Sequence, residues 1–221
     1  LISLNEVLSV HEDKLIPLPE AEIMQNEDIP GKTQMTQSTG IVGADLAWSL
    51  GITGAGWYVA VLDTGIRPTH EFFTGKDIVE ACFSAERDCP NGQTSMIGPG
   101  SAEHYYEYNY LSGYDHGTHV AGIAAGNNGN GRAGVSKDSD IIAIQVFSYF
   151  PSEDDVLSWS SDQLKVLEHV YSLRNTYKIA SVNISIGGGE YGSFCNGGSY
   201  DNAVKNLKAV GIATVIATGN E

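Results

Sequence analysis

The chain has 221 residues, 42% apolar and only 18% charged, enough to bury one sizeable core. Its 12 basic and 27 acidic side chains leave a net charge of −15, which argues against nucleic acid and anionic membrane as partners. No apolar run approaches the roughly 18 residues that a membrane-spanning helix needs. The start shows neither an initiator Met nor a basic-then-apolar signal segment. It reads as an interior point of a longer precursor, which says nothing against secretion.

In chain order, residues 1–14 form a short apolar stretch that ends in charges, one strand of a larger unit. Residues 15–40 carry three prolines, several acids and a Thr/Gln/Ser run, and read as linker. From Ile41 the texture alternates between strand and helix. A β-rich run at 57–62 ends at Asp63-Thr64-Gly65. Cys82 and Cys89 then bracket a short polar segment. A disulfide there would close a small loop and imply an oxidising compartment, while free thiols, a redox pair or a metal pair fit the same spacing. Cys195 is left over, its partner expected beyond residue 221. The nearly apolar run 140–147 is a strand covered on both faces. The spacing predicts a helix over 161–177, with Ser161 as N-cap and Leu164, Leu167, Val170 and Tyr171 on one stripe. A strand at 180–186, a helix at 199–210 stopped by Gly211, and a strand at 212–217 complete the series; Ala203, Leu207 and Val210 share the second helix's apolar stripe. Such alternation predicts an α/β fold: a doubly wound, mostly parallel sheet with helices on both faces, incomplete at the C-terminus. In these sheets ligands bind beyond the carboxyl ends of strands, where Asp63, Ser185-Ile186-Gly187 and Gly219-Asn220 fall.

Three motifs carry the chemistry. Val61-Leu62-Asp63-Thr64-Gly65 puts an acid at the end of a buried strand. Asp115-His116-Gly117-Thr118-His119-Val120-Ala121-Gly122 puts a His at the start of a small-residue helix. Ala217-Thr218-Gly219-Asn220 puts an amide just past a strand. In that order they resemble the subtilase family of serine peptidases from about Ile41 to Glu221. The resemblance implies a secreted, autoprocessed serine endopeptidase that cuts polypeptide substrates without a cofactor in its chemistry. His116 would be the general base and later acid, Asp63 would fix its tautomer, and Asn220 would donate to the oxyanion. Ser185, Ile186 and Gly187 would form one wall of the substrate site, and Ala217, Thr218 and Gly219 the other.

The nucleophile departs from the pattern. The family's Gly-Thr-Ser-Met-Ala segment is absent from these residues, and Thr94-Ser95-Met96 is a decoy in a Gly- and Pro-rich loop. The catalytic Ser is expected beyond residue 221, so the 221 residues alone are expected to be inactive. Residues 71–114, with tyrosines at 105–110, resemble the Cys-containing insertion of secreted bacterial members; residues 1–14 resemble the last strand of the inhibitory propeptide, and 41–221 the N-terminal two-thirds of the peptidase domain. The connection at 149–155 would supply an edge strand beside the substrate, its acids favouring a basic side chain upstream of the cleaved bond. Many subtilases bind structural calcium after the His helix. Here that loop, Asn127-Asn128-Gly129-Asn130-Gly131-Arg132, lacks a carboxylate and reads as an ordinary turn, a calcium site being the alternative. Two competing readings are a non-catalytic binder on the same fold and a metal site using His116, His119 and an acid, against which His119 reads as a buried structural residue.

Overall fold

The computed structural model describes residues 11–18, 34–103, 113–187 and 198–217. Strand β1 (Leu15–Pro17) and helices α1 (Gln34–Ile41) and α2 (Ala44–Ser49) precede β2 (Tyr58–Asp63). Then come β3 (Ile78–Phe83), β4 (Ser95–Ile97), α3 (His116–Ala125) and β5 (Asp140–Gln145). The hairpin β6 (Ser148–Phe150) and β7 (Asp155–Trp159) runs directly into α4 (Ser160–Leu173). Strand β8 (Ile179–Ile184), α5 (Asp201–Ala209) and β9 (Ala213–Ile216) follow. The main sheet has the order β4-β3-β5-β2-β8-β9 and is parallel except for β4.

Alternation along the central strands splits the core into two layers, because successive side chains leave opposite faces of a strand. Ala60, Leu62, Ile142 and Ile144 meet Val166, Leu167 and Val170 of α4 and Leu207 of α5. Val59, Val61, Ile141 and Ala143 meet Ala121 and Ala125 of α3. The α/β architecture with helices on both faces is therefore as expected. Gly117, Ala121, Gly122 and Ala125 form the buried stripe of α3, and small side chains let that helix lie close to the sheet. At the end of α5, Gly211 takes φ +83° and its N–H bonds back to Lys208, the expected stop.

Several expectations need correction. The stretch 71–114 is not simply an insertion, because β3 is a full strand of the sheet between β5 and β4. Buried Glu80 interrupts its apolar run and hid it. Part of the stretch read as linker is regular: β1 falls within it and α1 overlaps its end. Ser161 is not the N-cap of α4. Trp159 takes that place without a side-chain bond, and the capping oxygen comes from Asp13, whose Oδ1 accepts from Ser161 N at 2.8 Å and Ser160 Oγ at 2.9 Å. The buried stripe of α4 runs through Gln163, Val166, Leu167 and Val170, leaving Leu164 only partly covered. On the second helix, Val210 is exposed rather than packed. Residues 1–10, Cys195 and the tyrosines at 105–110 lie outside the described residues. A disulfide joins Cys82 at the end of β3 to Cys89, with both residues buried.

Candidate active site

The main sheet brings the carboxyl ends of β2, β8 and β9 together, since Leu62 pairs with Ile184 and Ile184 with Ile216. Asp63 closes β2 and is 1% exposed. Its Oδ1 accepts from Thr64 N at 2.8 Å and stands 2.8 Å from His116 Nδ1. Its Oδ2 has no hydrogen-bond partner among the described residues. His116 opens α3, where its own N–H bonds to Gly113 O at 3.0 Å.

Thr64 ties the strand end to the helix start. Its hydroxyl donates to Tyr114 O at 3.0 Å and accepts from Gly117 N at 3.0 Å. Gly117 must be glycine, because a Cβ there would overlap Gly65 O and crowd the Asp63 side chain. Sequence reasoning missed Thr64 as a clamp. The available signal was a hydroxyl between a strand-ending acid and a glycine, in a segment apolar enough to be buried.

The electrostatics suit an imidazole that takes up a proton. Burial disfavours the imidazolium, but the hydrogen bond to Asp63 and its charge, with a smaller effect from Asp115, hold the His116 pKa above the ordinary 6.5. With Nδ1 engaged by Asp63, Nε2 is the nitrogen left to exchange protons.

Ser185, Ile186 and Gly187 follow β8 directly, with Ile186 buried and Ser185 Oγ accepting from Asn183 Nδ2 at 2.8 Å. Ala217 follows β9, its N–H bonded to Ile184 O at 3.1 Å. Thr218, Gly219 and Asn220 lie outside the described residues. Ser95 sits on exposed β4 at the far edge of the sheet, separated from β2 by β3 and β5. That edge strand corrects its reading as loop and keeps it from His116.

His119 is exposed, which corrects its reading as a buried residue. It lines a cavity of about 630 Å³ with Met35, Ile41, His70, Phe72 and Phe73, while His116 faces Asp63. Among the described residues no group of three His, Cys, Asp or Glu side chains could hold a metal ion. In the loop after α3, Asn127 Oδ1 accepts from Gly129 N, and Asn128 Oδ1 from Asn130 N and Arg132 N. Those oxygens serve their own turn, and the adjoining cavity is bordered by Lys76 and Lys137 together with Glu71, Asp138 and Asp140.

The subtilase family model matches residues 54–221, and the chain belongs to that family. Alkaline protease 1 of Aspergillus flavus is 28% identical over 76% of this chain and 33% of its own length. The major intracellular serine protease of Bacillus subtilis is 28% identical over 95% of this chain and 56% of its own. Among solved structures, a protease from Pseudoalteromonas arctica superposes with a TM-score of 0.58 at 25% identity, covering 79% of this chain and 52% of that one. The CspB protease of Clostridium perfringens, at 23% identity and a TM-score of 0.58, covers 80% of this chain and 39% of its own and shows the fold. The chain thus spans about a third to a half of the length of these proteins.

Proposed function

We propose that this chain belongs to a serine endopeptidase and carries its general base, His116, and the acid that orients it, Asp63. The observation that carries this reading is the 2.8 Å contact between His116 Nδ1 and buried Asp63 Oδ1, at a strand end and a helix start, in a subtilase-family chain. His116 Nε2 would take the proton of a serine supplied by a part of the protein these residues do not include, then return it to the leaving amine. Asp63 would hold the tautomer and stabilise the imidazolium. Asn220 would donate to the oxyanion, with Ser185–Gly187 and Ala217–Gly219 beside the substrate backbone. No cofactor enters these steps.

The segment around β1 supports an inhibitory role for the N-terminal region. β1 adds to β7 as an antiparallel strand, Leu15 opposite Trp159 and Pro17 opposite Leu157, while Asp13 caps α4. Strand addition is a common way to hold an extended peptide. A polypeptide substrate would displace it, which fits a zymogen. Two of the three exposed hairpin acids accept bonds from neutral donors within it, Asp154 from Tyr149 Oη and Asp155 from Val156 N. These bonds orient the carboxylates without neutralising them, so all three acids would attract a basic substrate side chain. The Cys82–Cys89 bridge supports secretion into an oxidising compartment.

The test is hydrolysis of casein and fluorogenic peptides by the full-length protein, with a serine-directed fluorophosphonate as inhibitor. Hydrolysis blocked by the fluorophosphonate and abolished in His116→Ala is expected. Peptide binding without hydrolysis would replace the peptidase reading with a binding protein.

A further inference from the structure

Three carboxylates are buried among the described residues: Asp63, Glu80 and Asp162. Asp63 faces His116 and Asp162 faces Lys165. Glu80 has no cation paired with it among the described residues, yet an unpaired buried charge is costly unless hydrogen bonds satisfy it. Its partners are backbone amides. Oε2 accepts from Gly100 N at 3.0 Å and Ala102 N at 3.2 Å, and the Glu80 carbonyl accepts from Gly98 N at 2.9 Å. The carboxylate therefore holds the 98–102 turn from inside the α3-side layer of the core.

That turn reaches the end of β2. Ala102 O accepts from Ile66 N at 2.8 Å, and a Cβ on Gly65 would come within 2.6 Å of the same oxygen. Gly65 has φ +90°, so only glycine passes this point without strain. From the other side Gly117 presses on Gly65 and Asp63. The Asp63-Thr64-Gly65 turn is thus clamped between α3 and the Ala102 carbonyl, and its position depends on both jaws.

We propose that Glu80 is a positioning residue for the Asp63–His116 pair, acting through the Ala102 carbonyl rather than touching either side chain. The kinetic consequence rests on the peptidase reading above; the effect on His116 does not.

The experiment compares Glu80→Ala, Glu80→Asp and Glu80→Gln in the full-length protein by NMR of the His116 imidazole and by steady-state kinetics. In Glu80→Ala the downfield Nδ1 proton signal should weaken and the His116 titration midpoint fall. A misplaced catalytic pair should lower kcat roughly ten- to a hundred-fold while changing KM less than about two-fold. Glu80→Gln should restore both readouts, since its amide oxygen accepts the same two N–H bonds. Glu80→Asp keeps the charge but shortens its reach by one methylene, and should resemble Glu80→Ala. A Glu80→Ala protein that loses thermal stability but keeps the His116 signal, midpoint and kcat would show a merely structural role and overturn the proposal. If Glu80→Ala does not fold, an unchanged His116 and kcat in Glu80→Asp overturns it equally. If even the parent protein shows no hydrolysis, the peptidase reading fails, and the NMR comparison alone still decides whether Glu80 positions the pair.

Discussion

His116 has one nitrogen committed to Asp63 Oδ1 at 2.8 Å, so proton uptake and release fall to Nε2. Burial works against the cation, while the hydrogen bond and charge of Asp63 raise the pKa above 6.5. A general base must be neutral, so kcat/KM should drop as pH falls through that raised value, an acid limb lying above pH 6.5. Asp63→Asn removes the charge that raises it. The limb should move to lower pH while kcat falls severely, because an amide can hold the wrong tautomer. The sign for stability runs the other way from activity. A raised folded pKa means that protonated His116 stabilises fully below its unfolded value and loses that contribution as pH rises through the folded one. Thermal melts of parent and His116→Ala across that window check it, and a gap that widened with pH would contradict it. Exposed His119 provides the contrast. His119→Ala should change stability by no more than about 0.5 kcal/mol and leave most turnover. Loss of activity as complete as in His116→Ala would show that His119 has a direct role.

Elements were legible where their periodicity was clean. β5 is a nearly apolar run, β2, β8 and β9 end in recognisable motifs, and Asp63 and His116 could be read because each motif fixes an acid or a base at an element's end. What stayed hidden depends on partners distant in sequence. β3 carries Glu80, an inward-facing acid that the amides of Gly100 and Ala102 help make tolerable. The cap of α4 comes from Asp13, beyond any local capping rule. His119 looked packable on a small-residue helix, yet the surface it faces cannot be read from spacing. Burial nudges the Asp13 pKa up, but hydrogen bonds from Ser161 and Ser160, with Lys165 nearby, bring it below 3.8 overall. Its contribution is therefore present above pH 3.8 and lost as pH falls through the lowered value. Asp13→Ala should weaken the hold of β1 on β7 by about 1 kcal/mol, the usual cost of losing a cap. Ile16→Asp, which puts a charge into the core contact of β1, should release the strand more fully. Hydrogen exchange of the β7 amides should rise in both, more in Ile16→Asp. Equal protection in all three proteins would mean that β1 does not hold β7.

At the scale of the whole molecule, the main sheet among the described residues ends in β9, which pairs β8 on one side only. Among the described residues no strand pairs the outer edge of β9, and Val215 and Ile216 are each 52% exposed. An unpaired apolar edge is a template for another chain's strand, and proteins normally blunt such edges with charge, proline or cover. Here the protection available within these residues is global: a net charge of −15 repels like copies at neutral pH. That protection fades as pH approaches the sequence pI of about 4.6, whereas the apolar edge is unaffected by pH. The 221 residues expressed alone should therefore stay monomeric at low salt near pH 8, and associate as pH falls toward 4.6 or as salt screens the charge. Val215→Lys places a charge on the edge itself and should suppress association under both conditions without moving the thermal midpoint appreciably, since the replaced side chain is half exposed. Light scattering after size exclusion, run on both chains across pH and salt, is the measurement. Association of equal extent in Val215→Lys would place the contact elsewhere, with the exposed Ile41, Val42, Leu46 and Leu50 of the α1–α2 region the next surface to charge. A parent chain monomeric at its pI would overturn the prediction that the β9 edge drives association.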